Sequence, residues 1–234
     1  MGYYFPYYFD PTYILVIIGV VLTLAASARV RSTYAKYSAV RSISGMTGAQ
    51  AAERLLHASG IYDVHIERVS GHLSDHYDPR TKVLRLSDSV YGQNSIAAIG
   101  VAAHECGHAI QHQQEYAPLR LRGTLVPVAN FGSRMAWPII IVGVLLGGSS
   151  TLINIGIILF SAAVLFQLVT LPVEFNASKR AVARLGETGI LFGEELDQTK
   201  KVLNAAALTY VAAAAATILQ LLRLLILFGG RNRD

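Results

Sequence analysis

The stretch "TLINIGIILFSAAVLFQLVTLPV", residues 151–173, decides the fold. None of its 23 residues is Asp, Glu, Lys or Arg. A helix needs about 20 apolar residues to cross the hydrocarbon core, so this run reads as a membrane span. The character changes at once in "EFNASKRAVARLG", 174–186, where the chain leaves the bilayer as a polar helix expected near 173–185. Before the span, "GGSS" at 147–150 is a tight turn, and an apolar region from Trp137 to Gly147, extending back as far as Leu125, supplies the partner helix. Residues 11–28, "PTYILVIIGVVLTLAASA", are 18 uncharged residues with no Lys or Arg ahead of them, the pattern of an anchor. Tyr and Phe crowd residues 3 to 13 and suit a membrane interface. A fourth apolar run, "VLNAAALTYVAAAAATILQLLRLLILF" at 202–228, is Ala-rich in its first half, which suits close helix packing.

Composition agrees. The chain is 53% hydrophobic and 15% charged, well below the roughly 25% charged of soluble domains. The net charge of +5 is not a nucleic-acid signal, because Lys and Arg do not cluster with interleaved aromatics. They mark topology instead: residues 29–134 hold 12 of the 20 and residues 173–202 hold 5. The positive-inside tendency puts both regions on the cytoplasmic side, consistent with the two crossings between them. A single cysteine, Cys106, excludes an internal disulfide.

Between the first two apolar regions the pattern is that of a water-soluble unit. "MTGAQAAERLLHASG" offers a capping box, Thr47 with Gln50, and Gly60 as a stop. "IYDVHIERV" alternates like a strand, and "HLSDHYDPRTKVLRLS" reads as a hairpin turning near Asp78-Pro79. Asn94 or Ser95 can cap the helix that follows. The expected fold is mostly α, a multi-pass membrane protein with a small α+β zincin-like unit whose β-hairpin lies beside that helix. Its segments are an N-terminal anchor (1–28), the zincin-like unit (29–122), a transmembrane hairpin (123–172), a ligand helix and connector (173–202) and an apolar C-terminal helix (203–234).

The helix after Ser95 carries "HECGH", His104 to His108. Residues four apart lie about 400° round, so the two imidazoles share one face. Glu105 is turned about 100° and can reach a water rather than the metal. That is the division of labour of H-E-x-x-H hydrolases, two zinc ligands and one general base. The residues after the motif exclude a metzincin, since Gln111 and Gln114 stand where that class needs Gly and His. Only "IAAIGVAA" precedes the motif, too short for an intramembrane site. His112 drifts about 80° off the row and reads as a rim residue.

The third ligand comes from 173–186. On a helix, Glu174, Ala177, Ser178, Ala181 and Leu185 fall on one face, a lone acid among small and apolar residues. That face can approach the histidine helix closely. Glu187, Glu194, Glu195 and Asp197 are fallback ligands in a more charged, surface-like stretch.

The segments "DHYDPRTKVLRLS", "HECGHAIQ", "LRLRGTLVPVANFGS", "LPVEFNASKRA" and "LTYVAAAAATILQLLRLL" resemble the YugP-type neutral zinc metallopeptidases of bacteria, over essentially the whole chain. More distantly, the motif is similar to CAAX-prenyl-protease-type membrane gluzincins. The resemblance implies a membrane-bound zinc peptidase with Glu174 as third ligand. It departs at Ser178, where those distant relatives carry an Asp that buttresses a ligating histidine.

"KVLRLS" is the expected edge strand for an extended substrate. His72, Asp75, His76 and Asp78 read as turn residues rather than a second metal site. His76, Tyr77, Tyr210 and Arg180 are candidates to stabilise an oxyanion. Cys106 faces the back of the helix as a packing residue. The expected activity is hydrolysis of a protein or peptide, membrane-associated or free, at one zinc held by His104, His108 and Glu174. It would occur at the cytoplasmic face of a bacterial inner membrane, with the lipid bilayer as the other partner and no nucleic acid. Two alternatives stay open: a non-catalytic membrane scaffold with a structural metal, and a metal-dependent hydrolase of a non-peptide carbonyl.

Overall fold

The computed structural model describes residues 10–229. Among the described residues, four helices are long and apolar enough to cross a membrane: α1 (Tyr13–Ser38), α4 (Ala117–Leu145), α5 (Ser150–Glu187) and α6 (Glu194–Phe228). The remaining elements are α2 (Gly48–Ala58), β1 (His65–Val69), β2 (His76–Asp78), β3 (Val83–Ser87) and α3 (Ile96–Gln113). The long helices pack as a row, α4 on α5, α5 on α6 and α6 on α1. The fold class is as expected, and the Tyr-rich residues 3–9 lie outside the described part.

The spans and the polar helices are not separate elements. The expected break near 173 is absent, and α5 runs for 38 residues, about 57 Å at 1.5 Å per residue. A bilayer core is about 30 Å thick, so one helix crosses it and continues well beyond. Pro172 sits inside it without ending it. Proline removes one backbone donor and clashes with the turn before it, and neighbouring helices can absorb that defect. In the same way α6 begins at Glu194, fusing the polar connector to the last apolar run. Span one continues past residue 28 as α1 to Ser38, where Tyr34 and Tyr37 are buried against the soluble unit.

In the soluble unit the local signals hold. Thr47 and Gln50 make both bonds of the capping box, and Gly60 has φ +72° just past α2. Ser95, rather than Asn94, caps α3 by accepting from Ala98 N–H at 3.2 Å. The sheet order is β1-β3-β2, with β1 parallel and β2 antiparallel to β3. This corrects the placement of "KVLRLS". It forms β3, paired on both sides and buried on both faces, so it cannot accept a further strand; the outer strand of the hairpin is β2.

Helix α3 runs through the core of this unit and packs on α2, α5 and α6. Gly107 makes the contact with α5 possible. A Cβ there would lie 2.5 Å from the Ala177 carbonyl oxygen, so only glycine allows the two helices to meet at this depth.

Candidate metal centre

The close approach of α3 and α5 brings His104, His108 and Glu174 together, with one ligand atom of each within 4.8 Å of the others. Glu174 Oε2 is 3.2 Å from His104 Nε2 and 3.7 Å from His108 Nε2. The imidazoles stand edge to face, with centroids 4.8 Å apart. Glu174 is only 2% exposed, and Ala177, Ala181 and Leu185 on its face are buried. The helical face read from the sequence is therefore the face turned to α3.

Each histidine is held by its other ring nitrogen. Gln111, fully buried, donates its amide N–H to Val173 C=O (2.8 Å) and Asn176 Oδ1 (2.9 Å). Its Oε1 is therefore left to accept from His108 Nδ1–H at 3.0 Å. This fixes the tautomer, leaving the Nε2 lone pair aimed at the cluster. Ser178 Oγ lies 3.1 Å from His104 Nδ1 and gives that ring nitrogen an uncharged hydrogen-bond partner.

Glu174 Oε1, the oxygen turned away from the histidines, accepts from Arg122 Nη1 at 3.3 Å. Burial disfavours a charged His108, but its bonds to Glu174 and the nearby Glu105 carboxylate outweigh this and raise its proton affinity above the ordinary value. The same two carboxylates favour any positive charge placed between the rings. Two neutral imidazoles and one carboxylate, each oriented by a further hydrogen bond, form a donor set that fits zinc and leaves a fourth position free.

The cluster lies at the floor of a cleft of about 800 Å³. Glu105, 8% exposed, lines it beside the histidines, facing β2, the start of α4 and Tyr210. His76 and Tyr77 also line it, and Tyr77 O–H bonds His112 Nδ1 at 2.9 Å. Burial, with Asp63 and Asp78 nearby, pushes the Tyr77 hydroxyl up to about 12, so it stays protonated. His112 sits on the rim, outside the cluster.

Several expectations fall away. Arg180 does not line the cleft; it bonds Asn176 and Gln114 behind Gln111 and lies over the Tyr116 ring. Glu195 is not on the surface: it is buried and accepts from Ile43 N–H at 2.8 Å, far from any ligand role. Glu187, Glu194 and Asp197 bond Arg184, Gln198 and Lys200 locally. Asp75 accepts from Ser87 N–H and Oγ–H and His72 packs on Tyr34, as structural turn residues, whereas His76 and Asp78 lie in strand β2 and not in a turn. The sequence reading missed Arg122, Gln111 and Asn176 as parts of the site. Arg122 was pooled with the topology charges, and Gln111 was noticed only for not being glycine.

The family described as "Putative neutral zinc metallopeptidase" matches residues 12–229. The chain belongs to this family. A relative described as "Putative membrane protease YugP", from Bacillus subtilis (strain 168), is 51% identical over 221 residues, covering 94% of this chain and 98% of that protein. No solved structure matches.

Proposed function

We propose that the protein is a membrane-bound zinc-dependent endopeptidase whose general base is Glu105. The observation that carries this is the convergence of His104 Nε2, His108 Nε2 and Glu174 Oε2 beside a buried carboxylate at the floor of an open cleft. Zinc, when bound, would supply Lewis acidity, making an adjacent water acidic near neutral pH and polarising a carbonyl.

The chain's own residues do the rest. Glu105 takes the proton of the attacking water and returns it to the leaving amine. Arg122 occupies Glu174 Oε1, so that carboxylate presents a single oxygen to the histidines. Tyr210, which lines the cleft, would donate its hydroxyl to the oxygen that gains charge as the carbonyl becomes tetrahedral. An extended peptide can add to β2, the outer strand, whose His76 and Tyr77 line the cleft. The basic regions 29–134 and 173–202 favour a cytoplasmic active site at a bacterial inner membrane.

The test is cleavage of casein and of membrane-protein fragments by the detergent-purified protein beside Glu105→Gln. The expected loss is roughly 10²–10⁴-fold with zinc content unchanged. Equal cleavage by both proteins would overturn the role of Glu105.

A further inference from the structure

A second cavity, of about 200 Å³, extends from the metal cluster toward the start of α3. It shares Asp75, His104, Glu105 and Tyr210 with the cleft, so the two meet at the proposed reacting centre. Glu174 and Ser178 line its end at the cluster; the rest of its wall is apolar and comes largely from the long helices, Val30 of α1, Val101 of α3, and Leu203, Ala206 and Ala207 of α6. The two alanines leave the space that larger side chains on α6 would fill.

Leu73 closes the rim. It is 41% exposed and has φ 55°, a left-handed conformation that leucine rarely adopts. The loop around it is pinned by Gly71 N–H to Asp88 (3.2 Å) and by both Asp75–Ser87 bonds. An apolar side chain is thus held exposed, in an unfavourable conformation, at a cavity whose end away from the metal cluster is apolar. Strain kept in this way often marks a functional position.

We propose that this cavity is a substrate subsite that receives the apolar side chain next to the scissile bond. The inference rests on the peptidase reading. A group in the cavity must be joined to whatever lies between Glu105 and the histidines, which is the bond under attack. In size, an apolar cavity of roughly 150 Å³ admits benzene, so this one holds a Leu or Phe side chain. Ala206 and Val30 set its depth, so the specificity is built partly from membrane helices.

The test uses zinc-loaded Glu105→Gln in detergent and fluorescein-labelled hexapeptides of glycine with one varied residue. Binding is followed by anisotropy, and cleavage of the same peptides by the wild type is followed in parallel. Leu and Phe peptides should bind at least about tenfold more tightly than Gly or Asp peptides. Adding Ala206→Leu should abolish the Phe preference, and Val30→Ala, which inserts no bulk, should extend it to Trp. Zinc content reports whether each variant is folded. Binding indifferent to the varied residue, or a preference unchanged in both variants, overturns the subsite whether or not the wild type cleaves. A preference that moves as expected with no cleavage by the wild type supports the subsite and counts against the peptidase.

Discussion

Gln111 shows how much of the site rests on one residue that binds no metal. It spans from Val173 C=O and Asn176 on α5 to the Nδ1–H of His108 on its own helix. Gln111→Ala leaves the His108 Nδ1–H without its partner and the imidazole free to change tautomer. Zinc affinity should fall about 10–100-fold in a chelator competition, the usual cost of losing such a support. The protein should also lose about 1–3 kcal/mol in denaturant unfolding. Ser178→Ala should weaken zinc binding in the same assay, and Ser178→Asp should strengthen it by placing a charge on His104 Nδ1–H. At this scale the grouping of His104, His108 and Glu174 was legible, because H-E-x-x-H forces two rings onto one helical face and Glu174 is the lone acid on an apolar one. Their supports were not. A glutamine or an arginine carries no periodic signal, and its partners on α5 lie 52 to 65 residues away in the chain.

Among the elements, the decisive contact is α3 against α5. Gly107 lies between the two histidines of the motif, over the Ala177 carbonyl. Gly107→Ala should push the helices apart, separating Glu174 from both imidazoles. The expected outcome is a lowered thermal midpoint, from about 1–3 kcal/mol of overpacking, together with substoichiometric zinc. Normal zinc content at a normal midpoint would show that the helices do not need this approach. Which residues share a face could be read from the sequence, but where the helices end could not. Hydropathy marks the bilayer, whereas α5 and α6 carry their hydrogen-bond ladders through that boundary and past Pro172. Strand order was also hidden, since β1 joins β3 in parallel across the intervening β2, a non-local pairing that no turn residue encodes.

At the scale of the molecule, four long helices form a row, and the soluble unit sits where α1, α5 and α6 project beyond their apolar lengths. Arg223, which has no place in the charge pattern, bonds Asp10 and Thr12 and lies 4.1 Å from the Tyr13 ring centre, tying the end of α6 to the start of α1. Orientation can be tested with the native chain as background. Cys106 is buried, and burial followed by the Glu105 charge pushes its thiol far above the ordinary value, so it should not react with maleimides while the protein is folded. Cysteines introduced at the exposed Arg80 and Lys200 should be protected from an impermeant maleimide in intact cells and should react after permeabilisation. Labelling of both in intact cells would place the site outside.

The most direct test of the zinc centre is X-ray absorption at the zinc K edge of the purified, metal-loaded protein. The expected spectrum shows one zinc per chain, bound by two imidazoles and oxygen ligands at about 2.0–2.2 Å, with no sulfur, and it should be lost in Glu174→Ala. A sulfur ligand, or an unchanged spectrum with full zinc occupancy in Glu174→Ala, would contradict a centre built from His104, His108 and Glu174.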